Sequence, residues 1–121
     1  MAKAHDVYDD KTLGERQEFF ARILPLLLIH IHAKGYDIRI GHCMRCRNCY
    51  VGKKHSVHKE KLAIDLNITK APAPGERPVL LTDKEAEAVH NEFHDYWDSL
   101  GGAPRIKGDL NHYSVSYQNR W

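Results

Sequence analysis

Residues 62–68 read LAIDLNI, an alternation of branched apolar residues with small or polar ones. Leu62, Ile64, Leu66 and Ile68 fall on one face of an extended chain, and Ala63, Asp65 and Asn67 fall on the other. A clean period of two predicts a strand whose apolar face lies on a core. It also places Asp65 on the opposite face, where a carboxylate need not enter the core. An ionised carboxylate beside core positions is costly unless it is paired or holds a metal. The strand reading therefore raises the question of what Asp65 is for.

Outward from this strand the punctuation is strong. Thr12-x-x-Glu15 is a capping box and Gly35 a C-terminal stop, so a helix is expected over about 12–34. Phe19, Phe20, Ile23, Leu24, Leu27 and Ile31 recur at helical spacing as its buried face, and Pro25 is expected to kink it. Residues 36–40 read as a short strand. Lys70 to Pro78 (KAPAPGERP) reads as a loop with three prolines. Thr82-x-x-Glu85 is a second capping box, followed by Val89, Phe93, Trp97 and Leu100 in a stripe that stops at Gly101-Gly102. Tyr113, Val115 and Tyr117 alternate with Ser114 and Ser116 as a last strand. Helix, strands, helix and strand together predict a small α+β domain, with helices packed on a small antiparallel sheet.

The bulk properties fit one domain over 1–121, long enough to bury a core. Eighteen basic residues stand against 16 acidic ones, a net charge of +2, which argues against a dedicated nucleic-acid binder. Three cysteines are an odd number, so a closed disulfide framework is not expected and a reducing compartment is. The N-terminus MAKAHDVYDDK lacks the apolar core of a signal peptide. The longest apolar run, Ile23 to Ile31, contains Pro25 and His30 and falls far short of the ~20 residues that span a bilayer. Nine histidines are the compositional outlier, and neutral imidazole is the commonest metal ligand.

His58 and Asp65 stand seven residues apart in the chain. On one straight strand their odd separation would put them on opposite faces; on a helix they would stand ~10 Å apart along the axis. A shared ion therefore requires a bend between them, and the polar run Lys59-Glu60-Lys61 allows one. Ser56-x-His58 followed by Ala63-x-Asp65 resembles the SxHxxGxAxD motif of the D-alanyl-D-alanine peptidases and phage L-alanyl-D-glutamate endopeptidases, peptidase family M15. Asp109-Leu110-Asn111-His112 matches that family's second element, an acid three residues before a histidine. YWDSLGG (96–102) is similar to the segment that precedes the final histidine in its endolysin branch. The order and spacing extend over roughly residues 12–117. Three departures stand out: Lys61 replaces the motif glycine, Asn111 precedes His112 where the family has a Trp-His variant, and the acid is Asp109 where some members carry Glu.

The resemblance implies a Hedgehog/DD-peptidase-like fold and a zinc enzyme that cuts peptidoglycan stem peptides, between L-Ala and D-Glu on the endolysin-like segments. The runner-up is a D-Ala-D-Ala carboxypeptidase or dipeptidase. It further implies that His58, Asp65 and His112 bind Zn2+, that Asp109 is the general base taking a proton from the attacking water, and that Ser56 faces the substrate or supports a ligand. Arg45, in Gly41-x-x-x-Arg45, resembles the family arginine that steadies the substrate carbonyl and its oxyanion, with Arg39 and Arg47 close by. A compact lysin of this kind is expected to be monomeric and to have bacterial peptidoglycan as its partner, with no nucleic acid and no stable membrane insertion. It would wait in the host cytoplasm until lysis and then act in the periplasm on the cell wall.

Cys43-x2-Cys46-x2-Cys49, with His42 beside it, supports a rival from another class: a non-enzymatic metal-binding or nucleic-acid module with Arg39, Arg45, Arg47, Lys53 and Lys54 as its basic patch. No distant CxxC completes a zinc-finger pattern, and free thiols on one side of a short helix are the plainer reading. His5, His30, His32, His55, His90 and His94 carry no motif and are read as scaffold or surface, His55 nearest the cleft.

Overall fold

The computed structural model describes residues 11–41, 62–118 and 120–121. The alternating stretch is the central strand of the sheet, β2 (Ala63–Lys70). On one edge it pairs antiparallel with β1 (Tyr36–Ile40), in a register that sets Ile38 against Ile68 and Ile40 against Leu66. Its other edge is shared. β4 (His112–Ser114) pairs with residues 63–65, and β3 (Val79–Leu80) pairs with 69–70, both antiparallel. Leu66 N, at the end of the β4 pairing, donates to Asn111 O over 2.8 Å. The edge of β2 between β4 and β3 therefore borders a notch.

α1 (Leu13–Ala33) and α2 (Asp83–Ser99) begin at the two expected caps. In both, the threonine side chain accepts the N–H of the glutamate three residues on, and that glutamate answers the threonine N–H. Gly35 and Gly101 follow the helix ends at φ +90° and +96°, a conformation that glycine adopts without steric cost. α1 runs unbroken through Pro25, where the missing N–H removes one helical hydrogen bond on an exposed side.

The core lies between the helices and the Leu62, Ile64, Leu66 and Ile68 face of β2. Phe20, Ile23, Leu27 and Ile31 enter it from α1, and Val89, Phe93 and Trp97 from α2. Phe19 and Leu24, expected on the buried face of α1, are only partly covered. Trp97 is the hub: its ring meets Phe20 and Tyr113 edge-on, at centroid distances of 6.1 and 6.0 Å, and its Nε1 donates to Ser114 O. Arg16 is buried as well, donating from Nε to Ser116 O at 2.8 Å, a tie from α1 to the chain after β4.

The coarse α+β reading therefore holds, with two helices and a small antiparallel sheet among the described residues. Three boundaries differ. β2 extends to Lys70, which the loop reading had included, because the sheet pairs Lys70 with both Tyr36 and Val79. β3 was not expected; it is two residues long and has no alternation to read. The last strand ends at Ser114, although Val115 and Ser116 remain buried and Val115 N still donates to Leu62 O. Among the described residues no helix is long and apolar enough to cross a membrane.

Candidate functional site

The register of β2 against β4 sets Asp65 opposite His112. Hydrogen bonds join Leu66 N to Asn111 O and Val115 N to Leu62 O, so the ladder bonds run through the even-numbered residues of β2. Asp65 and His112 are thus a non-hydrogen-bonded pair, the kind whose side chains approach most closely. Asp65 Oδ1 lies 3.7 Å from His112 Nδ1, and the two side chains are only 13% and 6% exposed. The asparagines beside this pair also meet: Asn111 Nδ2 donates to Asn67 Oδ1 at 3.0 Å.

Asp109 lies in two consecutive turns that lead into His112. Asp109 N donates to Ile106 O at 2.9 Å, and Gly108 supplies the positive φ of +81° that a type II turn needs at its third position. His112 N then donates to Asp109 O at 3.1 Å, closing a second turn that leads into β4. The Asp109 side chain is exposed. A turn between acid and histidine is what the three-residue spacing leads one to expect.

The loop that carries Asp109 is anchored to α2 at two points. Arg105 hydrogen-bonds the backbone and side-chain oxygens of Asn91 at 3.2 and 3.0 Å, and it pairs with Asp95 and Asp98. His94 Nε2 lies 2.8 Å from Leu110 O, and its ring stacks on Tyr113 with centroids 4.2 Å apart. His90, one turn earlier, bonds the Tyr113 hydroxyl through Nδ1 at 2.8 Å. Burial pushes the pKa of both histidines down to about 4. For His94 the Leu110 carbonyl opposes that shift, and Arg105, His90 and His112 add to it. Both rings are therefore neutral in the fold at neutral pH.

The unfolded chain binds protons at these rings near their ordinary pKa of 6.5, whereas the folded chain does so only near 4. Their contribution to stability is complete above about pH 6.5 and is lost as the pH falls towards 4. Urea melts at steps across that window should show a midpoint that drops with acidity. In His90→Gln/His94→Gln the drop should be smaller over the same steps.

A cleft of about 1000 Å³ opens at the notch in the sheet. Asn67, Asn111, Leu110 and Gly108 line it, Ile68, Leu80 and Leu81 give it an apolar wall, and His90 lines it from α2.

Of the residues singled out in the sequence, the side chains of Asp65 and His112 are brought together, and Asp109 is joined to His112 through the backbone bond of their turn. His58, Ser56 and Arg45 lie outside the described residues, as do Cys43, Cys46, Cys49 and His55. The described residues that flank that segment both sit at this end of the sheet. Gly41 N donates to Asp65 O at 2.8 Å, and Leu62 immediately precedes β2, three residues before Asp65. Gly41 packs so closely that a Cβ there would meet Asn67 Nδ2 and Asp65 Cβ at 3.2 Å. Among the described residues no three His, Cys, Asp or Glu side chains are grouped to hold a metal. Arg105, which ties the Asp109 loop to α2, was not singled out in the sequence, and His94, which does the same, was read there as scaffold or surface; no motif or periodicity marks a contact between α2 and a loop. The chain matches no protein-family model, no curated protein and no solved structure.

Proposed function

We propose that this protein is a zinc peptidase of the Hedgehog/DD-peptidase-like type that hydrolyses peptidoglycan stem peptides between L-Ala and D-Glu. The observation that carries the reading is the Asp65–His112 pair, a carboxylate and an imidazole facing each other at 3.7 Å from two neighbouring strands. Two donors each ~2.0–2.2 Å from a shared tetrahedral ion stand roughly 3.4 Å apart, so a small side-chain adjustment suffices. The donor types, carboxylate oxygen and imidazole nitrogen, suit zinc. His58 would be the third ligand. It stands four residues before Leu62, a span an extended chain covers in at most ~14 Å.

Zinc held there would polarise the scissile carbonyl and bring the pKa of a water to ~7. The chain's own groups would do the rest. Asp109, presented by the turn that leads into His112, accepts the proton as the water oxygen bonds to the carbonyl carbon. It then returns that proton to the leaving amine nitrogen as the C–N bond breaks. Arg45 would stabilise the charge that develops on the carbonyl oxygen, and Ser56 would support the ligands or the substrate.

Purified peptidoglycan digested with the zinc-loaded protein should yield new D-Glu amino termini and L-Ala carboxyl termini by mass spectrometry. Release of D-Ala alone would move the assignment to a carboxypeptidase or dipeptidase, and no new termini would overturn the peptidase reading. Metal analysis separates the rival class. Zinc should be largely lost in His58→Ala, Asp65→Ala and His112→Ala, whereas loss only in Cys46→Ser would point to a cysteine-cluster module.

A further inference from the structure

His94 is fully buried, and only one of its ring nitrogens is used. Nε2 faces Leu110 O at 2.8 Å; a carbonyl can only accept, so the proton sits on Nε2. Nδ1 is then a bare acceptor, buried with no hydrogen-bond partner. Leaving such a group unpaired costs about 1–3 kcal/mol. Phenylalanine would stack on Tyr113 and fill the space without that cost, so packing does not account for an imidazole here. What phenylalanine would lack is the N–H to Leu110. That carbonyl belongs to the turn closed by His112 N and Asp109 O, between the proposed base and the proposed ligand.

We propose that His94 is a positioning residue, whose Nε2–H holds the Leu110 carbonyl and so fixes the turn that sets Asp109 beside His112. The inference rests on the peptidase reading for its catalytic consequence, but not for its structural one. α2 packs at the core through Val89, Phe93 and Trp97 on the same side, so His94 is mounted on a rigid element. Tyr113, stacked on His94 and bonded to His90, carries the same support to the residue next to His112.

The comparison is wild type against His94→Phe, which keeps a ring and removes the donor, and His94→Gln, which restores an N–H at similar reach. Zinc affinity, measured by competition with a chromogenic chelator, should fall about 10–100-fold in His94→Phe, the usual effect of removing a group that orients a ligand. On a soluble stem peptide kcat should fall in the same range with KM little changed, and His94→Gln should recover most of both. In the metal-free proteins the His112 amide, bonded to Asp109 O, should exchange with deuterium faster in His94→Phe and return towards wild type in His94→Gln. Should His94→Phe not fold, His94→Met replaces it as the variant without a donor. Wild-type exchange at His112 in the folded donor-free variant would overturn the proposal, as would zinc affinity and kcat within twofold of wild type. A wild-type protein that neither binds zinc nor cleaves would overturn the peptidase reading instead, and the exchange comparison would still decide the role of His94.

Discussion

In Asp109→Asn, zinc should stay bound while turnover falls by about 10²–10⁴, the range that a general base contributes. Asparagine keeps the size and shape of the side chain but cannot take the proton. The fold has little reason to respond. The turns on either side of Asp109 are held by its backbone N and O, at 2.9 and 3.1 Å, and its side chain is exposed. Asp109→Glu keeps the chemistry and moves the carboxylate by one methylene. Partial activity is expected there, since misplacement by ~1 Å can cost 10²-fold. The decisive comparison is zinc content against turnover in Asp109→Asn. Loss of zinc together with activity would make Asp109 a ligand. Activity retained with zinc in place would assign the proton to another group, and Glu60 and His55 would be substituted next.

Trp97→Ala should lower folding stability by about 3–5 kcal/mol, the range for removing a large aromatic side chain from a core. Against a total that is typically 5–15 kcal/mol, this is enough to leave much of the chain unfolded at 37 °C. The indole is fully buried, braced edge-on by Phe20 from α1 and Tyr113 from β4, and bonded to Ser114 O. Trp97→Phe should cost less, because Ser114 O still accepts from Ala103 N at 2.9 Å. Gly102→Ala tests the same place from the opposite direction: a Cβ there would come within 2.1 Å of Trp97 Nε1 and 2.2 Å of its Cδ1. The ring has no room to retreat, so a loss of about 1–3 kcal/mol by overpacking is expected. Urea melts of the metal-free proteins check all three, read as a lower midpoint at unchanged slope. A Trp97→Ala midpoint equal to wild type would contradict the core as described.

Both helices were legible in the sequence because their start signals are local. Thr12 with Glu15 and Thr82 with Glu85 satisfy backbone donors within three residues, so no distant part of the chain is needed to specify them. β2 was legible for the same reason: its alternation follows from the pleat, and the pleat needs no partner to be seen. Val79–Leu80 was not legible, because a two-residue strand is a strand only by virtue of pairing with Thr69 and Lys70. Asp65, Asp109 and His112 could be singled out from motif order, but nothing in their spacing states that Asp65 and His112 are cross-strand neighbours. That depends on β4 pairing with residues 63–65 in one register, and a slip by one residue would turn His112 to the other face of the sheet. The burial of Arg16, the anchoring of the Asp109 loop by Arg105 and the imidazole of His94 under Leu110 were decided by the tertiary structure alone. Each joins residues far apart in sequence, and such a contact has no local period or cap from which it can be read.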